Sequence, residues 1–137
     1  MPYATQSDLV ARFGERMLIQ LTDREDVPTG AIVSSIVDDA LDATDAMIDG
    51  YLAAKYQLPM ATTPALIEEL AKTIAIYKLH TYAPDDKIAT DYKAATRSLE
   101  QIASGMIRLP VAGVEPAQTD AGGALVTDRE RPFTADN

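Results

Sequence analysis

The chain has 137 residues, enough for one domain with a proper core, and at 47% hydrophobic it is not a disordered protein overall. It holds no Cys, which excludes disulfides, thiolate metal sites and a cysteine nucleophile and fits a reducing compartment. Asp and Glu number 21 against 12 Lys and Arg, and the net charge of −9 disfavours general binding to a phosphate backbone while favouring solubility or a basic partner.

Residues 1–17 lack a basic patch followed by an apolar run, so no secretory signal is expected there. The longest apolar stretches fall well short of the ~20 residues that span a bilayer, so no membrane partner is expected. Thr5 or Ser7 can cap a short first helix carrying Leu9, Val10 and Phe13, with Gly14 as its stop. A second short helix over Glu15–Leu21 groups Met17, Leu18 and Leu21, and residues 22–30 form a polar linker closed by Pro28 and Gly30.

A long helix is predicted over Ala31–Tyr56. Val33, Ile36, Val37, Ala40, Thr44, Met47, Tyr51 and Ala54 step by three and four, which makes them its core-facing stripe. Gly50 inside it reads as a site of close helix packing, with a kink as the alternative. Pro59 and Pro64 bracket a short linker, and Pro64 suits the first position of a fourth helix capped by Thr63. Leu66, Ile67, Leu70, Ala71, Ile74, Ala75, Tyr77 and Leu79 cover most of that helix, making it central. Pro84 breaks the chain, and Asp85 or Asp86 can cap a fifth helix that ends near Ser104 with Gly105 as its stop. Ile88, Tyr92, Ala95, Leu99 and Ile102 form its buried seam. Beyond Leu109 the Pro and Gly content rises, and the segment reads as an extended arm, flexible in isolation, with a candidate short strand at Ala124–Thr127. The resulting fold class is all-α: a compact bundle of about five helices with a long central helix hairpin, a body over 1–108 and an arm over 109–137.

Few residues group as a chemical site. Asp38, Asp42, Asp45 and Asp49 recur at helical spacing, almost opposite the stripe from Val33 to Tyr51. Like charges at i,i+4 are mildly unfavourable. A solvated face is the default reading, an interface with basic residues of another subunit is the next, and a divalent-metal site is the least favoured, because a straight helix does not converge its oxygens. His80 is the sole histidine, so a His-paired metal site or a catalytic triad is excluded. Glu68 and Glu69 are adjacent and point apart on a helix, and Gly122-Gly123 lacks the Lys and Ser or Thr of a phosphate loop. The expectation is a binding protein with no enzymatic activity and no cofactor or metal. Its acidity admits a second reading, a small acidic regulator or DNA mimic from a mobile element.

Several motifs then share one order. Tyr3-Ala4-Thr5-Gln6-x-Asp8-Leu9-x-x-Arg12-Phe13-Gly14-Glu15 is followed by Gln20-Leu21-Thr22-Asp23-Arg24, Ile48-Asp49-x-Tyr51-Leu52 and Tyr56-x-Leu58-Pro59. Pro64-Ala65-Leu66, Ile74-Ala75-x-Tyr77-x-Leu79, Tyr92, Leu99-Glu100 and Gly105 continue the series. Over about residues 3–108 the chain resembles the Mu-like phage neck family of small head–tail connector proteins. Arg131-Pro132-Phe133-Thr134 is similar to an Arg-x-Phe-Ser/Thr ending of that family.

The resemblance implies an α-helical adaptor that assembles as a ring, expected at twelve subunits in the virion and monomeric in isolation. It implies a place in the neck below the portal protein, after assembly in the host cytoplasm. Such a ring extends the DNA channel, lets DNA pass without specific binding, and docks the next neck or tail completion protein. Under that reading Asp38, Asp42, Asp45 and Asp49 are candidates for a channel or subunit-interface face. Arg129, Arg131 and Phe133 are candidate anchors of the arm, since basic and aromatic side chains supply many interface anchors.

Overall fold

The computed structural model describes residues 2–110. They form α1 (Gln6–Phe13), α2 (Glu15–Thr22), α3 (Ser34–Leu52), α4 (Ala65–Lys78) and α5 (Asp86–Ser104), with no strand element among the described residues. The all-α expectation and the number and order of the helices hold. Helices α3, α4 and α5 pack on one another as the main core, while α1 and α2 close over it from the side of α3 and α4.

Local chemistry explains most of the helix ends. The Asp8 N–H donates to the Thr5 hydroxyl at 3.2 Å while the Thr5 N–H donates to the Asp8 carboxylate at 2.9 Å, a reciprocal cap in which Asp takes the usual Glu position. Gly14, at φ +94°, ends α1 and starts α2 in one residue, a turn that a side chain would strain. Asp85 caps α5 by accepting from the Ile88 N–H at 2.9 Å, and Gly105 ends that helix in the left-handed region, both as expected.

The linker between α2 and α3 is ordered by its own polar residues. The Asp23 carboxylate accepts the N–H groups of Thr29 and Gly30, and these bonds hold it below its ordinary range. Thr22 is buried, donates its hydroxyl to the Leu18 carbonyl and accepts the Val33 N–H at 3.0 Å. Arg24 donates to the Leu21 carbonyl and to the Leu79 carbonyl, each at 2.9 Å. One guanidinium thereby supplies the C-terminal carbonyls of both α2 and α4, groups that a helix leaves without internal partners.

Four expectations are corrected. The long helix is shorter than Ala31–Tyr56: α3 begins at Ser34 and ends at Leu52, about 28 Å of helix. Its buried stripe is Val37, Ala40, Leu41, Thr44, Ile48 and Leu52, whereas Met47 and Tyr51 are half-buried and Ala54 is exposed. The predicted stripe left out Leu41, Ile48 and Leu52, and burying these three large aliphatic side chains outweighs the alternative face. Gly50 is exposed and a Cβ there would meet nothing within 4 Å, so it does not mark close packing within the body. At α4 the cap is Pro64 itself, with no side-chain bond from Thr63, and the helix begins one residue later.

Helix α4 is the centre, as expected. Ile67, Leu70, Ala71, Thr73, Ile74, Ala75 and Ile76 are all buried, and only Leu66 of the predicted set is exposed. Thr73 satisfies its hydroxyl on the Glu69 carbonyl at 3.0 Å. The seam of α5 against it is Ile88, Ala95, Leu99 and Ile102, and Tyr92 stacks on Tyr77 with ring centroids 3.8 Å apart.

Candidate functional site

Rotating the core stripe of α3 toward Leu41, Ile48 and Leu52 changes the meaning of the Asp row. The row now flanks the core instead of lying opposite to it. Asp38 and Asp42 remain exposed, but Asp45 and Asp49 are half-buried. The chain's own N-terminal segment lies against these two. The Tyr3 N–H donates to Asp45 Oδ1 at 3.0 Å, the Tyr3 hydroxyl donates to Asp49 Oδ1, and Ala4 is buried beside them.

The electrostatics follow from this packing. Burial raises the Asp45 carboxyl above its ordinary value, the bond from the Tyr3 N–H opposes that shift, and the negative charges of Asp49 and Asp42 add to it. Burial, the hydrogen bond to Asp49 and the neighbouring carboxylates likewise push the Tyr3 phenol up. Tyr3 therefore stays a neutral donor at any physiological pH. The row divides into two working halves: Asp45 and Asp49 strap the N-terminal segment to α3, while Asp38 and Asp42 face outward. None of the ion pairs among the described residues involves the row; they join Arg12 and Lys72 to Glu69 and Lys87 to Asp91. No cluster of metal-ligand type occurs among the described residues.

A second fastening sits where the chain leaves the body. After Gly105 the Ile107 N–H donates to the Gln101 carbonyl at 3.2 Å, and the Leu109 N–H donates to the Tyr56 hydroxyl at 2.9 Å. Tyr56 and Leu109 are both buried, so this bond lies in the core just past the end of α3. The chain thus departs from a fixed point beside α3. The proposed anchors Arg129, Arg131 and Phe133, and the candidate strand at Ala124–Thr127, lie outside the described residues.

Glu69 carries two cations, Arg12 and Lys72, each at 2.9 Å, and Lys72 above all holds its carboxyl below the ordinary range. His80 donates Nδ1–H to the Ile76 carbonyl at 2.8 Å and meets the Tyr82 ring edge-on, a local structural arrangement. No helix among the described residues is long and apolar enough to cross a membrane. Tyr3, Arg24 and Tyr56 were not singled out as site residues from sequence. For Tyr3 the available signal was a tyrosine just ahead of a capping Thr, together with two carboxylates four residues apart beside the core stripe. No local pattern connects Arg24 to Leu79 or Tyr56 to Leu109, because those pairs are 55 and 53 residues apart.

Comparison with known proteins adds an independent finding. The family model described as Bacteriophage Mu, Gp36 matches residues 3–128. Gene product J of Escherichia phage Mu is 35% identical over 105 residues, covering 77% of this chain and 74% of that protein. The Mu-like prophage FluMu protein gp36 of Haemophilus influenzae is 30% identical over 124 residues, covering 90% of this chain and 86% of that protein.

Proposed function

Because this chain belongs to the bacteriophage Mu Gp36 family, and so is a phage protein, we propose that it is a structural head–tail connector subunit that acts by binding alone. In this reading copies of the body assemble as a ring in the virion neck, below the portal protein. The ring extends the DNA channel and offers a docking surface to the next neck or tail completion protein. The observation that carries the reading is the division of α3: one flank builds the core and straps the N-terminus, while Asp38 and Asp42 stay exposed and outside any ion pair among the described residues. Carboxylates facing a channel repel the phosphate backbone and keep DNA from adhering as it passes. The fixed exit at Tyr56 and Leu109 suits a subunit whose remaining chain engages a neighbour, and the family match continues to residue 128, past the last described residue.

The test is to locate the chain in purified particles by cross-linking and cryo-electron microscopy of the neck, and to delete its gene. Deletion should yield DNA-filled heads unjoined to tails, restored by supplying the protein. Reversing Asp38 and Asp42 to Lys should leave the body folded and the particles assembled while impairing DNA passage. Loss of assembly from the same change would move the two carboxylates to a subunit contact. The acidic regulator or DNA-mimic reading has a narrower basis, since Asp45 and Asp49 are engaged by Tyr3 and a broad array of phosphate-like carboxylates is not formed on α3. Competition with DNA for a basic host protein, by a chain absent from particles, would favour that alternative.

A further inference from the structure

We propose that the two ends of α5 form the two halves of one contact between copies of this chain, with Met106 of one copy seated in a cleft on the next. The cleft, about 610 Å³, opens where α1 and α2 meet the turn between α4 and α5. Phe13, Met17 and Ile88 give it apolar walls, and Tyr82 stands at its mouth, 61% exposed. Arg16, Gln20, His80 and Asp85 supply the polar half of the lining, and an aromatic side chain beside a mixed recess of this kind is of the type enriched at interfaces. At the opposite end of α5, directly after Gly105, Met106 is 74% exposed, an adaptable apolar knob left uncovered among the described residues.

Charge matches the same pairing. Around the knob stand exposed Arg108 and the Lys55 side chain, whose Nζ approaches Gly105 to 3.5 Å of where a Cβ would lie. At the cleft end stand exposed Asp85, in the lining, and Asp86. Asp85 uses Oδ1 to cap α5 and keeps its second oxygen for another donor. Within the lining Asp85 stands against one cation, Arg16; with the neighbouring Asp86 and the Lys87–Asp91 ion pair, this end carries three carboxylates against two cations. One end of the helix thus carries an apolar knob with a cationic rim and the other a mixed cleft with a net acidic rim, which is complementarity between different surfaces of the same molecule.

The geometry forbids satisfying this pairing within one chain. Asp85 and Gly105 cap opposite ends of a 19-residue helix, roughly 28 Å apart. A knob at one end and its socket at the other make a head-to-tail contact, which repeats from copy to copy and closes as a ring or runs on as a filament. A two-fold pairing would instead seat both knobs reciprocally along antiparallel α5 helices and stop at a dimer. The inference rests on the ring reading of the function and names the surfaces that such a ring uses.

The chain has no cysteine, so engineered ones report cleanly. Full-length Tyr82→Cys and Met106→Cys chains carrying different tags would be mixed at high concentration under a mild oxidant, with Lys93→Cys on the exposed side of α5 as the control. All three positions are exposed, so the body should fold as before. Disulfides need Cα atoms within about 7 Å, so the expected product is the mixed Tyr82→Cys with Met106→Cys dimer, formed about tenfold faster than either like pair or any Lys93→Cys pair. A chain bearing both substitutions should give a ladder of multimers, and a doubly linked product that stops at the dimer overturns the head-to-tail arrangement. Arg108→Glu in the Met106→Cys chain, or added salt, should slow the mixed reaction several-fold. Like pairs forming fastest, or no mixed dimer above the control, overturns the proposal. So does a Phe133→Cys chain that captures Tyr82→Cys in place of Met106→Cys, because the cleft would then receive the C-terminal segment. A chain absent from phage particles would refute the connector reading and leave this cross-linking result standing; a failed cross-link with the chain present in the neck would do the reverse.

Discussion

Helices α3 and α4 lie side by side and use their side chains differently. In α4 seven of fourteen residues are buried and spread over most of the surface, so the helix is enclosed by α1, α3 and α5. In α3 six of nineteen are buried in one band, with carboxylates along its flank and small exposed residues at Ala43, Ala46 and Gly50. The contrast separates two jobs. Helix α4 has surrendered nearly every side to packing and holds the body together. Helix α3 packs by one band, straps the N-terminal segment along one flank and leaves the rest of its surface exposed.

Breaking the comparison at its strong side should have the largest effect. Ile74→Ala, at a fully buried position of α4, should destabilise the body by about 2–5 kcal/mol in urea unfolding, through lost burial and a cavity enclosed by three helices. A change below about 1 kcal/mol would mean that α4 is not the centre. Tyr56→Phe removes only the acceptor of the Leu109 N–H and leaves a buried donor without a partner. It should destabilise by about 1–2 kcal/mol and speed amide exchange at Leu109 before the rest of the body.

The exposed side of α3 should respond in the other direction. Gly50→Ala meets open space and removes backbone freedom from a helix interior, so the thermal midpoint should rise, by about 0.5–1 kcal/mol of stability. If the same variant fails to assemble, Gly50 admits the close approach of a partner, and the free face of α3 is an interface. The smallest effect is electrostatic. The folded-state pKa of Asp45 lies above its ordinary 3.8, so its contribution is most favourable below 3.8 and is lost as pH rises through the raised value. Asp45→Asn keeps an acceptor for the Tyr3 N–H and removes repulsion from Asp42 and Asp49. Stability at neutral pH should rise by a few tenths of a kcal/mol, with a flatter profile in weak acid. A net loss would show that the charge itself helps to hold the strap.

Much of this organisation was legible in the sequence because it is local. The cap at Thr5, the stops at Gly14 and Gly105, the cap at Asp85 and the all-round apolar pattern of α4 each depend on residues within a turn or two of one another. The facing of α3 was not legible from the chosen stripe. Its sequence supports two apolar bands about a sixth of a turn apart, and tertiary packing selects the one containing Leu41, Ile48 and Leu52. The same choice turned Asp45 and Asp49 from surface charges into acceptors for Tyr3. Contacts such as Arg24 with Leu79 have no periodic signature at all, since they join the ends of elements brought together only by the completed fold.

The bond between Tyr56 and Leu109 also decides how the body carries load. A pull on the chain beyond Pro110 arrives first at Leu109, whose side chain is buried and whose N–H is held beside the end of α3. The last turn of α5 is thereby shielded from being peeled open one hydrogen bond at a time. Tension passes sideways into the bundle, where the Tyr56 bond and the buried Leu109 side chain must yield together. Force applied at this point is taken up by the bundle while the last turn of α5 keeps its shape.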